Sequence, residues 1–255
     1  TTMPNRFRAL TFVCAMALAA PAVAQSRQWA GDQPPRFALS LNGGYQSSTT
    51  EFDDRFTFDL YQETGTTRVA YPIEAGFLFD AGGSVRIWRG LAAGVAVSRF
   101  VRDGAASTNT SLPHPFFLQR NRDIDGEADG IKREETGIHI QAQYQLPLTG
   151  SLQIVLMGGP SVLQVKQTLV TEVNFNEEYP YDTATFTGVD SDRVSRSATG
   201  FNIGADVQWM FSPHVGAGAL VRFTSATVDL DAAGDRTVSV DAGGTQVGAG
   251  LRFVF

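Results

Sequence analysis

The chain has one cysteine among its 255 residues, and that residue, Cys14, lies inside an N-terminal apolar run. A product trimmed of this run has no thiol, so it depends on packing and hydrogen bonding and not on disulfides. Long apolar runs are also missing. No stretch of ~18 apolar residues occurs, which excludes a membrane-spanning helix. Nor is there a basic cluster, and without one no nucleic-acid partner is expected. Three histidines, at 114, 139 and 214, stand far apart in sequence, and no His/Cys cluster suits zinc. No phosphate-binding G-x-x-x-x-G-K-[ST] run and no dinucleotide fingerprint is present. The residues therefore assign no catalytic group, no cofactor and no metal centre.

The start of the chain reads as an export signal. Thr1 and Thr2 precede Met3, then come Arg6 and Arg8, an apolar run from Ala9 to Ala20, and Ala22-Val23-Ala24. A basic region, a short apolar region and an A-x-A site predict a signal peptide over 1–24, cleaved after Ala24. Removing 24 of 255 residues leaves 231, enough for one sizeable domain. Two of the 20 basic residues and none of the 26 acidic ones lie in the signal, so the trimmed chain carries 18 against 26, a formal charge of −8. Residues 25–35 are expected to form a periplasmic N-terminal segment, and 36–255 the domain itself.

From Arg36 onward the chain alternates. Phe37, Leu39, Leu41 and Tyr45 interleave with Arg36, Ser40, Asn42 and Gly44. A period of two is a β-strand with two unlike faces. The same pattern predicts strands over 69–88, 91–101, 134–146, 151–170, 197–211, 215–230 and 237–255. The connections after the first strand (47–68), the third (102–133) and the fifth (171–196) are long and polar. Those at Arg89-Gly90, Pro147–Gly150 and Ser212–His214 are short. In the last strand Val238 and Val240 fall out of phase with Val247 and Ala249, and a bulge near Gly243-Gly244 would repair the register. A further bend or bulge is expected at Gly158-Gly159-Pro160. Phe56-Thr57-Phe58 could add a hairpin and raise the strand number from eight to ten.

The final strand carries Val247, Ala249, Leu251, Phe253 and Phe255 on one face. In this alternating strand, ending on an aromatic residue, the chain resembles the bacterial outer-membrane β-barrel proteins, among them the small OmpA-type and opacity-type barrels. The resemblance implies an all-β, eight-stranded antiparallel up-and-down transmembrane barrel in the outer membrane. Short turns would face the periplasm and long loops the outside. It further implies that the C-terminal strand is the signal read by the barrel-assembly machinery. Phe37, Trp209 and Phe211 are expected in an aromatic girdle at the periplasmic rim, with Tyr45, Tyr71 and Phe223 nearer the outer one. Outer-membrane lipids and lipopolysaccharide are the implied surroundings, and an extracellular ligand could bind through the loops.

The opposite faces hold Glu74, Asp80, Arg86, His139, Asp206, Arg222 and Arg252. Inside an eight-stranded barrel these groups must pair, because an unpaired buried charge is costly. A salt-bridged plug is expected, and a narrow ion path is the alternative. Parity alone does not say which face is inside. A soluble lipocalin-like binder, with its apolar face inward, is therefore a second reading. An outer-leaflet lipid-modifying enzyme is a third, weakened because no histidine sits in a His-x-Ser motif. The run from Asp123 to Glu134 partly matches a calcium loop, but the glycine and the position-twelve carboxylate do not fit one register. An acidic solvated loop is the plainer expectation.

Overall fold

The computed structural model describes residues 36–47, 51–232 and 236–255. The expected signal peptide and the 25–35 segment lie outside the described residues. Ten strands follow in order: β1 Phe37–Ser47, β2 Phe52–Leu60, β3 Glu63–Tyr71, β4 Gly76–Trp88, β5 Leu91–Pro113, β6 Asn121–Pro147, β7 Leu152–Glu177, β8 Ala184–Met210, β9 Val215–Ala232 and β10 Arg236–Val254. Eight of them form a closed antiparallel ring, β1-β4-β5-β6-β7-β8-β9-β10. The ring closes where β1 pairs with β10, from Ala38↔Val254 to Ser47↔Thr245. Closure leaves no sheet edge inside the membrane, where nothing else could satisfy the backbone.

The remaining two strands form the hairpin foreshadowed by Phe56-Thr57-Phe58. It leaves the barrel between β1 and β4, and β3 pairs with the distal half of β5, from Thr66↔Ser111 to Ala70↔Ser107. Its Tyr61-Gln62 turn holds both residues at positive φ, 53° and 65°, as a two-residue hairpin turn requires.

Burial settles the parity question. Near the termini the apolar positions face outward: Leu39, Leu41, Phe79, Val95, Ile140, Ile203 and Leu251 are all exposed. Their polar neighbours Asn42, Asp80, Ser98, Gln141, Asn202 and Arg252 are buried. Apolar outside and polar inside is the reverse of a lipocalin. Along β8 the outward set runs from Phe201 to Phe211; ten steps of ~3.4 Å at a tilt of ~40° rise about 26 Å, the height of an outer-membrane apolar band.

Beyond this belt the polarity inverts. Val238, Val240 and Ala242 of β10 are buried, as are Ala226, Val228 and Leu230 of β9. They join Phe52, Phe56, Val69, Tyr71, Ile124, Ile131, Leu163, Val165 and Leu169 in one apolar core. The expected bulge at Gly243-Gly244 is absent: β9 and β10 pair in one unbroken register from Arg236↔Ala232 to Phe253↔Val215. Even positions of β10 face inward throughout. The apolar residues change faces because lipid surrounds one half of the strand and water the other.

The same inversion corrects the expected long loops. Residues 102–113 and 121–133 continue β5 and β6, and 171–177 and 184–196 continue β7 and β8. The expected strand over 69–88 divides: Val69–Tyr71 end β3, and β4 starts only at Gly76. Tyr71, expected at the outer rim, is buried in the distal core, where its hydroxyl accepts the Val170 N–H at 2.8 Å. At Gly158–Pro160 the β6–β7 register is kept, although pairing lapses between His139↔Ser161 and Ala142↔Gly158, because proline has no N–H to donate.

The closing seam is tight. A Cβ on Gly250 would lie 1.7 Å from the Leu41 carbonyl oxygen. Gly250→Val should therefore prevent closure, whereas Ala249→Val, on the lipid face, should be tolerated. Unheated gel migration checks this: the first variant should lose the fast compact band and the second keep it.

Candidate functional site

The lumen at membrane height is filled by a hydrogen-bonded chain. Asp80 accepts from Arg222 Nη2 at 2.7 Å and from Asn42 Nδ2 at 2.9 Å. Arg222 Nε donates to Gln246 at 2.7 Å, and Gln246 to Gln46 at 2.7 Å. Gln46 donates to Glu135 at 2.8 Å, and Glu135 accepts from Arg133 Nε at 2.7 Å. Nearer the periplasm Arg252 clasps Asp206 through Nε and Nη2 at 2.7 and 2.5 Å. Three arginines thus meet three carboxylates. His139 sits between Ser98 and Ser161, 2.8 Å from each hydroxyl.

Among the residues expected here, Asp80, His139, Asp206, Arg222 and Arg252 are buried in the lumen. Arg86 lies at the periplasmic mouth, donating to Gln145 at 2.6 Å. Glu74 does not belong: it falls between β3 and β4, and pairs with Arg102 on the exposed outer side. The network also includes Asn42, Gln46, Arg133, Glu135 and Gln246, which sequence reasoning did not single out. Extending the inward parity of His139 and Gly137 by two steps would have reached Glu135, and by four Arg133.

The periplasmic mouth, between Arg86, Gln145, Gln153 and Met210, holds a cavity of about 530 Å³, but little space is left at the ion pairs. The cavity among Asn42, Asp80, Gln141, Asp206, Arg222 and Arg252 measures about 40 Å³, room for a few waters at most. Above it lies the apolar core. Polar and apolar fillings therefore follow each other along the barrel axis.

At the distal end three hairpin tips converge. Glu177 of β7 accepts from Tyr61 of the β2–β3 turn at 2.5 Å and from Arg122 of β6. Arg122 also donates to the Pro113 carbonyl at 2.7 Å and the Tyr181 carbonyl at 3.0 Å. Gln119 N–H donates to Glu63 at 2.8 Å. The hydrogen bond to Glu177, with some burial and the carboxylate's charge, raises the Tyr61 hydroxyl pKa above its ordinary value. On this frame stand Phe116, Phe117, Leu118 and Tyr179, with 66, 54, 76 and 82% of their surface exposed. Phe116 meets Tyr181 edge-on at 5.5 Å, and Arg120 lies over Phe117 at 5.4 Å.

The Asp123–Glu134 run is not a loop. Asp123, Asp125, Glu127 and Asp129 project in line from the outer face of β6, so they do not converge as a calcium loop requires. Among the described residues no group of His, Cys, Asp and Glu could hold a metal ion. At the C-terminus Val247, Leu251 and Phe255 are exposed on the outer face with Ala249, and Phe253 is half-buried there. Phe37, Trp209 and Phe211 are exposed at the periplasmic rim.

A family model of the outer membrane protein beta-barrel domain matches residues 10–253. The chain belongs to this family. It is an integral outer-membrane barrel, a class in which short turns face the periplasm and the long connections face outside. No curated protein sequence matches it. Among solved structures it is similar to Neisserial surface protein A, at 13% identity and TM-score 0.45, over 86% of this chain and 97% of that one. The outer membrane protein OprG from Pseudomonas aeruginosa matches at 10% identity and TM-score 0.46, over 87% and 97%. The outer membrane protease OmpT from Escherichia coli matches at 7% identity and TM-score 0.50, over 86% and 97%. At these identities the likeness concerns the fold alone.

The lumen pairs make a quantitative test. Asp80→Ala should leave the buried Arg222 without its counter-charge and cost about 3–5 kcal/mol. The double variant Asp80→Ala/Arg222→Met should recover most of that loss. Urea unfolding in detergent micelles measures both.

Proposed function

We propose that this protein is a non-conducting, non-catalytic outer-membrane barrel that acts by binding a partner protein at its extracellular tips. The observation that carries this reading is the exposed apolar group Phe116, Phe117, Leu118 and Tyr179. It is held in place by Glu177, which joins the β2–β3 turn to β6 and β7. Apolar side chains in water are costly unless a partner covers them. Phenylalanine and tyrosine on a rigid base, edged by arginine, have the composition of a protein-binding hot spot. Arg120 and Asp182, 3.4 Å apart, supply a polar rim.

The filled lumen argues against the channel reading. An ion would have to cross the Asp80–Arg222 and Asp206–Arg252 pairs and then the apolar core. The buried His139 is out of a substrate's reach, which argues against the enzyme reading.

The test uses whole cells displaying the protein, applied to surfaces coated with extracellular-matrix proteins. The variant Phe116→Ser/Phe117→Ser/Leu118→Ser/Tyr179→Ser should retain the folded band and lose adhesion by about thirtyfold, the scale of one hot spot. Unchanged adhesion would refute the tip as the binding surface. Deleting 105–133 would be a poor substitute, because that stretch supplies Ala106, Leu112, Ile124, Ala128 and Ile131 to the core.

A further inference from the structure

The periplasmic mouth carries charge of one sign. Arg36, Arg86 and Arg89 border its cavity of about 530 Å³, and among the described residues no aspartate or glutamate lines it. This stands out in a chain whose formal charge is −6. The next charges along the axis, Asp206 and Arg252, neutralise each other.

Arg86 breaks the pattern of the lumen. Arg133, Arg222 and Arg252 each meet a carboxylate. Strand parity turns Arg86 inward after Asp80, Gly82 and Ser84, yet among the described residues it makes no ion pair. Its Nη2 donates to the Gln145 amide oxygen at 2.6 Å, and its Nε is buried without an acceptor. A covered guanidinium donor with no acceptor is costly, and a carboxylate satisfies it through a charge-assisted bond. Arg89 borders the same cavity, with its guanidinium 5.0 Å from the centre of the Trp88 ring. Among the described residues it too makes no ion pair.

Apolar side chains complete much of the wall. Leu152, Met210 and Val254 line the cavity, and the last two are buried. Gln153 lines it as well and donates to Gln208 at 2.6 Å, while Gln208 donates to Asp206 at 2.5 Å. Beyond these amides only the space of about 40 Å³ among the ion pairs remains. The cavity is thus a blind pocket with its opening toward the periplasm. An apolar wall of this volume with a few convergent polar groups is the makeup of a small-molecule site.

We propose that the periplasmic mouth binds a small organic acid, with its carboxylate on Arg86 and its apolar body on Leu152, Met210 and Val254. The cations, with no carboxylate of the described chain beside them, select a negative ligand. The apolar wall selects an acid with a hydrocarbon body over an inorganic anion. Arg89, on the β4–β5 turn, adds attraction at the entrance. The acid binds without crossing the barrel, because the ion pairs block its far side. This site lies at the end of the barrel opposite the tips and does not depend on what they bind.

The test is equilibrium dialysis of the folded protein in nanodiscs of zwitterionic lipid, with empty nanodiscs as the blank. The probes are 3-phenylpropionate, its neutral amide 3-phenylpropionamide, and inorganic phosphate. The acid should bind saturably, and more weakly as salt rises. It should bind about tenfold more tightly than the amide, the scale of one hydrogen bond to a charged group. Arg86→Gln should remove that tenfold preference and keep the fast unheated gel band. Ser84→Glu, two residues away on the same inward face, gives Arg86 a resident carboxylate and should abolish binding of the acid. That variant keeps the proposal open to refutation if Arg86→Gln fails to fold. Absence of saturable binding would overturn the proposal, as would equal binding of acid and amide by the parent protein. Displacement of the acid by equimolar phosphate would also overturn it, and so would either variant binding the acid like the parent.

Discussion

A β-strand has two faces, and which residue occupies which face is fixed for as long as the register holds. In β10 that register is continuous from Arg236 to Phe253. The surroundings of the outer face are not continuous: lipid meets Leu251, and water meets Ser239. The apolar residues must therefore sit outside at one end and inside at the other. The rest of the architecture follows. The proximal half is a membrane barrel with a polar interior, and the distal half is built like a water-soluble β-protein with an apolar core.

This arrangement dictates what fills the barrel. At membrane height the inward residues are polar by default, because the apolar ones are committed to lipid. Shielded from bulk water, they pair with one another: three ion pairs form, and Gln46 and Gln246 link the Asp80–Arg222 pair to the Glu135–Arg133 pair. Further out the same inward positions become valine, leucine and isoleucine, which need no partners. Beyond the Glu135–Arg133 pair, buried charge among the described residues recurs only as further pairs such as Asp54–Arg236 and Arg122–Glu177. The strands also continue far enough to carry the aromatic tips well clear of the membrane surface, fixed through Glu177.

The proximal half was legible in the sequence because one template, apolar outside and polar inside, holds along each strand. Leu39, Phe79, Ile140 and Phe253 all read correctly, and the lumen positions of Asp80, Asp206, Arg222 and Arg252 came from the same alternation. The distal half was not legible with that template. Residues 102–133 and 171–196 put charge on the outward positions, so they read as loops, while Ile124, Ile131 and Val173 marked the opposite face. Val238 and Val240 carried the clue. Their phase slip looks like a bulge in sequence, although it marks the membrane boundary. Strand parity carried through Pro72 puts Glu74 in the lumen, but the strand breaks there, between Tyr71 and Gly76. The tip cluster had no signal in sequence, since it arises from three turns meeting in space.

Site-directed spin labelling along β10 tests the inversion most directly, in a Cys14-free background, with single cysteines from 238 to 251. Labels at the odd positions 247, 249 and 251 should be accessible to oxygen dissolved in lipid and shielded from a water-soluble relaxant. Labels at 239 and 241 should show the reverse, and labels at the even positions should be shielded from both, with no phase change at 243 or 244. A phase change there, or lipid contact at 238 and 240, would mean that a bulge carries the strand across and that the apolar distal core does not exist.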